Sequence, residues 1–159
     1  MWKSHVQSAD SLPYIIKLSN VLNHDGMYSA KSEVKILNHL GKTDFSSVLY
    51  RVVDNMEIQE VLYHAIILEN SGISLDYLPL AEFKKLQTAA VASLQKLHGR
   101  GVIHGDIRLP NFVCNLIGGE DVVRIIDFGE SYMMDINSSQ FLKLCEEEID
   151  ELLQIFINL

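Results

Sequence analysis

Apolar residues recur at three- and four-residue intervals along three stretches of the chain, and this spacing predicts three amphipathic helices. The predicted helices cover residues 30–40, 79–98 and 141–157. Glu33 falls within the apolar stripe of the first helix, so we expect its side chain to face the interior. The acidic run at residues 146–148 is interpreted as solvated surface of the third helix.

Short runs rich in β-branched, aliphatic and aromatic residues predict five strands. They cover residues 14–18, 47–53, 62–68, 111–116 and 122–126. We expect the second and third strands to pair through a turn at Asp54-Asn55, and the last two to form a hairpin around Gly118-Gly119. The segment at residues 24–26 is interpreted as another turn. This order of elements indicates an α+β chain with small, segregated sheets rather than a doubly wound parallel sheet.

Length and composition are those of an ordinary folded domain, expected to include residues 1–159. The formal net charge of -8 disfavours unspecific binding to nucleic acid or to an anionic membrane. Cys114 and Cys145 have no disulfide or zinc spacing, which favours a reducing, cytoplasmic location. Residues 1–10 lack the apolar region of a secretory signal, and no apolar run approaches the ~20 residues of a membrane span.

The most informative stretch is HGDIRLPN at residues 104–111, followed sixteen residues after Asn111 by Asp127-Phe128-Gly129 at the end of an apolar strand. The two segments resemble the catalytic loop, H-x-D-x-x-x-x-N, and the metal loop, D-F-G, of the protein-kinase superfamily. Gly105 stands where many protein kinases have an arginine. The His-Gly-Asp version resembles the compact atypical kinases, including the RIO and KEOPS-complex kinases and the aminoglycoside phosphotransferases.

Phosphoryl transfer depends mostly on positioning and charge neutralisation, and Mg²⁺ prefers hard oxygen ligands. Asp127 can offer a carboxylate to such an ion, and Asn111 an amide oxygen. By resemblance, Asp106 would accept or orient the proton of the attacking hydroxyl, and Arg108 would steady the phosphoryl group. His104 is interpreted as a structural support of this loop. Asp106 and Asn111 can also be read as turn or cap residues, a reading that the nearby Asp-Phe-Gly disfavours.

The resemblance extends upstream to the strand at residues 14–18, which looks like the strand that carries the family's phosphate-contacting lysine, here Lys17. Glu33 would be its ion-pair partner, because a lysine in an apolar run is rarely buried without one. The alternative is that Lys17 extends to solvent and Glu33 lies at the edge of its stripe. Glu69 and Asn70 follow a strand in the order expected of the hinge that would bind adenine.

Three features depart from the family pattern. No glycine precedes Gly26, so the glycine-rich loop over the phosphates is expected to be absent. Gly105 removes the arginine that grips a phosphorylated activation loop. Residues 130–140 replace the long activation segment, without a following Ala-Pro-Glu, so the peptide-docking platform is also expected to be missing.

The resemblance implies a minimal bilobal kinase-like fold, with a reduced N-lobe at residues 14–70 and a reduced C-lobe at residues 71–159. It implies an ATP- and Mg²⁺-dependent phosphotransferase that acts on a Ser/Thr hydroxyl. The departures leave two alternatives open: a pseudokinase that serves as a nucleotide-binding or scaffold module, and a small-molecule kinase. A protein partner that completes the site is a further expectation.

Overall fold

The computed structural model describes residues 13–115 and 122–158 of the chain. The α-helices in this part are α1 (His24–Leu40), α2 (Leu80–Lys85), α3 (Gln87–His98) and α4 (Ser139–Ile157). The strands are β1 (Tyr14–Asn20), β2 (Leu49–Ile58), β3 (Val61–Glu69), β4 (Ile73–Ser74), β5 (Val102–Ile103), β6 (Phe112–Cys114), β7 (Val123–Ile125) and β8 (Tyr132–Met133). Short 3-10 helices lie at Leu75–Tyr77 and Leu109–Asn111.

The first sheet is antiparallel, has the strand order β1-β3-β2, and is covered on one face by α1. Lys17 in β1 is the register partner of Ile66 in β3, which is almost fully buried. Because directly paired residues of an antiparallel ladder project to the same face, Lys17 points toward the helix. Glu33 is on the buried side of α1, as its place in the apolar stripe predicts. The sheet and helix therefore bring two oppositely charged side chains to one interface.

The β2–β3 hairpin forms as expected, but the turn predicted at Asp54-Asn55 is wrong. The chain turns at Gln59 and Glu60, whose φ angles of 50° and 65° suit a tight hairpin turn. The pairing register of β2 shifts between Val53 and Met56, and Asn55 has a φ of 55° at this irregularity. Asn tolerates the left-handed region in a bulge as well as in a turn, so its presence does not distinguish the two.

Two helix predictions also need correction. The segment at residues 24–26 is the first turn of α1, because the Asn23 side chain accepts a hydrogen bond from the Gly26 N–H and caps the helix. The helix predicted over residues 79–98 is divided into α2 and α3 at Leu86, whose N–H bonds to the Phe83 carbonyl in a tightened turn.

The remaining strands form two small antiparallel sheets, ordered β4-β6-β7 and β5-β8. The β6–β7 hairpin confirms the pairing predicted for that region, although Gly118-Gly119 lies outside the described residues. A parallel bridge between Ser46 and Ile125 links the segment before β2 to β7. The three sheets thus meet the helices around one hydrophobic core.

The core contains side chains from every α-helix and from the central strands. The largest fully buried ones include Ile66, Leu94, Phe112, Phe128 and Leu152. The α+β prediction is confirmed, with mixed helices and antiparallel sheets. Across the described part of the chain, no helix is both long enough and apolar enough to traverse a bilayer.

Candidate functional site

His104 begins the loop that joins β5 to β6, and its imidazole is fully buried. The ring Nε2 lies 3.1 Å from the Ile126 carbonyl oxygen, and Nδ1 lies 3.3 Å from the Asp106 backbone nitrogen. A carbonyl only accepts and an N–H only donates, so Nε2 carries the proton and Nδ1 is bare. The neutral ring therefore joins the backbone beside Asp106 to the backbone beside Asp127.

The surroundings of His104 keep it neutral. Burial lowers the pKa of its imidazole below the usual value, and this effect outweighs the attraction of the Glu148, Asp106 and Asp127 carboxylates. Both Asp106 and Asp127 are thus close enough to the same ring to act on its charge. The interpretation of His104 as a structural support agrees with this arrangement.

Asn111 holds the other end of the loop against Asp106. Its amide nitrogen donates to the Asp106 carbonyl at 2.8 Å and to the Asp106 Oδ2 at 2.9 Å. Both partners are acceptors, which assigns the nitrogen to that side and leaves the amide oxygen available as a ligand. The Asn111 carbonyl accepts from the Ile126 N–H at 2.9 Å, a second link to the segment that carries Asp127.

Arg108 is placed differently from the sequence expectation. Its Nε lies 2.8 Å from the Asp106 Oδ2, and its side chain is 57% exposed. Here the guanidinium neutralises the carboxylate that the sequence nominates as proton acceptor. Contact with a phosphoryl group would require this exposed side chain to change partner.

Asp127 lies two residues after the end of β7 and has a φ of 65°, in the left-handed region. Asp and Asn enter this region more readily than other non-glycine residues, at an energetic cost. The conformation directs the Asp127 carboxylate to Lys17, whose Nζ lies 3.0 Å from Oδ1. Lys17, 110 residues earlier in the chain, is thereby brought to the metal-loop candidate.

Lys17 also lies 2.8 and 3.0 Å from the two carboxylate oxygens of Glu33, which confirms the predicted ion pair. Burial alone would lower the pKa of Lys17, but the Glu33 and Asp127 carboxylates together raise it above the usual value. Burial raises the pKa of the Glu33 carboxyl, and the Lys17 ammonium offsets this only in part. Two carboxylates around one ammonium leave an excess negative charge, which favours the binding of a proton or a cation.

Glu148 corrects one sequence interpretation, because it is buried rather than part of a solvated acidic surface. Its carboxylate accepts the Gly105 N–H at 2.6 Å, the His104 N–H at 3.2 Å and the His98 Nε2–H at 2.7 Å. Burial would raise the pKa of this carboxyl, but these hydrogen bonds lower it below the usual value. Glu148 therefore anchors the start of the catalytic-loop candidate to α4.

A signal for Glu148 is present in the sequence. It lies three residues after Cys145 and four before Leu152, so helical spacing places it beside the buried face of α4. Glu146 and Glu147 are exposed, whereas Glu148 is buried. Because all three residues of the run are glutamates, composition alone does not distinguish the buried one. A buried acid on an apolar stripe requires donors, and here they are mainly backbone groups that sequence spacing does not reveal.

Gly105 is required by geometry. Its φ of 82° is in the left-handed region, and an added Cβ would lie 2.6 Å from the Glu130 carbonyl oxygen. Any side chain at this position, including the arginine of many kinases, would displace the segment after Asp127. In the next turn, the Ser131 hydroxyl donates to the His104 carbonyl at 2.7 Å, so the two loops are packed closely.

The backbone N–H groups of the hinge candidates, Glu69 and Asn70, already donate to carbonyl groups of the chain. The Glu69 N–H donates to the Val48 carbonyl at 2.9 Å, and the Asn70 N–H donates to the Pro13 carbonyl at 3.0 Å. The Glu69 carboxylate pairs with Arg124 at 3.2 Å. An adenine ring would have to use other backbone groups of this segment or replace these bonds.

The structure therefore brings Lys17, Glu33, Asp127, Asp106 and Asn111 into one connected network. Lys17 contacts both Glu33 and Asp127 directly. His104 and the Asn111 carbonyl connect the segment that carries Asp127 to the loop that carries Asp106. Among the residues that the structure describes, no group of three or more His, Cys, Asp or Glu side chains suits a metal ion by itself. A magnesium ion here would need further oxygens from phosphate and water, as is usual for that ion.

Comparisons with known proteins point to kinases. The chain is 27% identical over 118 residues to serine/threonine-protein kinase 1 of African swine fever virus, with 69% of this chain and 37% of the relative covered. It is 28% identical over 109 residues to serine/threonine-protein kinase PSK2 of Saccharomyces cerevisiae, with 63% and 10% covered. No protein-family model matches the chain.

A shorter match connects the chain to the calcium/calmodulin-dependent protein kinase kinase cmkC of Emericella nidulans, at 39% identity over 51 residues. This match covers 32% of this chain and 9% of the relative. The chain spans little more than a third of the viral relative and about a tenth of the yeast relative. These partial similarities support a relationship to the protein-kinase-like superfamily.

Replacement of Gly105 by alanine tests the close packing of the two loops. We expect Gly105→Ala to lower the free energy of unfolding by the roughly 1–2 kcal/mol that the left-handed region costs an alanine. The contact of the new Cβ with Glu130 should lower it further. Urea unfolding should show a loss larger than about 2 kcal/mol, the upper end of the conformational cost alone. A smaller loss would contradict the close packing of Gly105 against Glu130.

The buried, neutral His104 predicts that stability falls as the pH drops below about 6.5, the unfolded value of a histidine. Its folded pKa is depressed, so its contribution is present above that pH and is lost toward the folded pKa. Glu148 adds a second loss below about 4.3, the unfolded value of a glutamate, for the same reason.

Urea unfolding between about pH 7 and about pH 3 measures this dependence. The raised pKa of Glu33 acts in the opposite direction, so wild type is compared with His104→Gln and with Glu148→Gln. We expect the first substitution to flatten the curve just below about pH 6.5 and the second to flatten it below about pH 4.3. Parallel curves for wild type and His104→Gln would show that His104 is not held neutral.

Proposed function

We propose that this chain is the core of an ATP- and Mg²⁺-dependent phosphotransferase of the protein-kinase-like superfamily that acts on a Ser/Thr hydroxyl. In this proposal residues 1–159 form one domain of the compact, His-Gly-Asp type and of bilobal form. Residues 14–70 are the reduced N-lobe and residues 71–159 the reduced C-lobe. The similarity to Ser/Thr protein kinases supports the general class.

The single observation that carries the proposal is the contact of Lys17 with both Glu33 and Asp127. An ammonium group shared by a helix carboxylate and a loop carboxylate is held at one point, where it can bind a phosphate oxygen. The loop carboxylate remains 43% exposed, so it is accessible to an ion from solvent. Positioned charges of this kind supply most of the catalysis in phosphoryl transfer.

The chemistry of the donors fits magnesium. The Asp127 carboxylate and the Asn111 amide oxygen are hard oxygen donors, and the excess negative charge around Lys17 favours a cation. Magnesium would neutralise charge on the triphosphate. Asp106, 33% exposed, would accept the proton of the attacking hydroxyl at a carboxylate oxygen. Arg108 is the exposed side chain next to that oxygen, and in this proposal it releases Asp106 to contact the phosphoryl group.

Glu69 and Asn70 are proposed to flank the adenine. Their N–H groups are committed to Val48 and Pro13, so the ring would be bound mainly by packing and by other backbone groups of the segment. A protein partner that adds contacts to the phosphates is part of the same proposal. The expected site of action is cytoplasmic.

A pseudokinase that serves as a scaffold is the second candidate. It is favoured by the committed hinge N–H groups and by the Arg108 and Asn111 contacts that occupy the Asp106 Oδ2. A small-molecule kinase differs from the first proposal only in its acceptor. ATP binding, phosphate transfer and the identity of the labelled product distinguish the three candidates.

Labelled phosphate transfer from ATP, with Mg²⁺ and a mixture of Ser/Thr peptides and hydroxylated metabolites, tests the proposal. We expect wild type to label a peptide, Asp127→Asn to be inactive, and Asp106→Asn to be slower by about 10²–10⁴-fold, the usual contribution of a general base. Asp150→Asn is the matched control, because Asp150 is exposed on α4 and the substitution makes the same charge change.

A thermal shift with ATP and Mg²⁺ separates the outcomes. A ligand at 100 times its Kd stabilises the folded chain by about 2.7 kcal/mol, which raises the Tm measurably. A shift without phosphate transfer would support the pseudokinase, and label in a metabolite alone would support the small-molecule kinase. If folded wild type shows no thermal shift and no phosphate transfer, the proposed phosphotransferase is refuted.

A further inference from the structure

A basic recess lies between the end of α1, the end of α3 and β7. It has a volume of about 630 Å³ and is lined by Lys42, Thr43, Asp44, Phe45, Arg100 and Arg124. None of Lys17, Asp106, Asn111 or Asp127 lines it. The recess is therefore a different place from the network described above.

The charge of the recess contrasts with that of the chain, which has 13 basic and 21 acidic residues. Lys96 joins the three lining cations through an ion pair with Asp44 at 2.5 Å, and Arg124 pairs with Glu69 at 3.2 Å. Among the residues that the structure describes, these four cations meet two carboxylates, which leaves two positive charges without partners. An anionic ligand would neutralise them, although the formal net charge of the whole chain is -8.

Lys42 and Arg100 carry this unpaired charge. Within residues 13–115 and 122–158, neither forms an ion pair with a carboxylate. Both are exposed at the rim. Arg100 donates one hydrogen bond to the Leu40 carbonyl at 3.4 Å, and the other donors of its guanidinium remain available. The contact with Leu40 also steadies the arginine beside the recess.

The base of the recess is rigid. The Ile125 N–H donates to the Phe45 carbonyl at 2.8 Å, and the Ser47 N–H donates to the Ile125 carbonyl at 3.1 Å. The Thr43 and Ser46 hydroxyls are 2.7 Å apart. These bonds attach the segment before β2 to β7, so a ligand would meet a surface that is already ordered.

We propose that this recess is a docking site for an acidic peptide segment of a protein partner, rich in carboxylate or phosphorylated side chains. Lys42 and Arg100 would bind its anionic groups directly, and Arg124 would do so in competition with Glu69. The cations come from three separate segments of the chain, which suits an extended ligand with several charges. The proposal does not depend on phosphotransfer.

Nucleic acid fits the recess less well than a peptide. Single strands are bound through basic grooves together with accessible aromatic side chains on which bases stack. Phe45, the aromatic residue that lines the recess, is 6% exposed and belongs to the core.

Fluorescence anisotropy with the whole chain and a labelled glutamate-rich peptide tests the site. We expect saturable binding that weakens about tenfold or more in Lys42→Glu/Arg100→Glu, because two attractive contacts become repulsive. Lys31→Glu/Lys35→Glu is the matched control, because both lysines are exposed on α1, do not line the recess and give the same charge change. It should change the Kd by less than about twofold.

Competition experiments distinguish an acidic peptide from other anionic ligands of the recess. A glutamine version of the peptide should not bind, and inorganic phosphate should displace the acidic peptide only at much higher concentration. Tighter binding of a labelled RNA oligomer, or displacement by phosphate at equal concentration, would overturn the peptide assignment. Equal affinity of wild type and Lys42→Glu/Arg100→Glu, both folded by circular dichroism, would overturn the site itself.

Discussion

The structure depends on one ammonium group held between two carboxylates. Lys17 projects from an edge strand onto the face covered by α1, where it contacts Glu33, and from there it reaches Asp127 at the end of β7. A buried glutamate without this partner would be costly, and the partner alone would carry an unpaired charge. The ionic contact therefore couples the orientation of α1, the first sheet and the loop after β7, and it leaves negative charge to spare for a cation.

A set of hydrogen bonds around the neutral His104 ring supports this ionic contact. His104 uses both ring nitrogens to join the segments beside Asp106 and Asp127, and Glu148 receives the two N–H groups at the start of that loop. Gly105 can take the conformation that this arrangement requires because it has no Cβ to meet Glu130. Glycine at this position is thus a packing requirement of this chain.

Sequence periodicity and the spacing of a few polar residues predicted much of this arrangement. The resemblance to the kinase lysine strand, together with the stripe that contains Glu33 and the apolar run around Lys17, predicted their ion pair, because a charge in an apolar run is rarely buried without a partner. The division of one helix at Leu86 was missed because both halves keep the same apolar period. The hairpin turn was misplaced because Asn55 suits a bulge as well as it suits a turn. Glu148 was missed because its main partners are backbone N–H groups, whose positions depend on the tertiary fold.

The proposed metal site requires Asp127 and Asn111 to hold one divalent ion beside Lys17. Mn²⁺ added with ATP to the isotope-labelled chain measures this directly, because the ion broadens the NMR signals of nuclei near it. We expect selective loss of the amide signals of residues 106, 111 and 127–129, with those at the end of α4 unchanged. Broadening centred elsewhere in the chain, or the same pattern in folded Asp127→Asn, would contradict it.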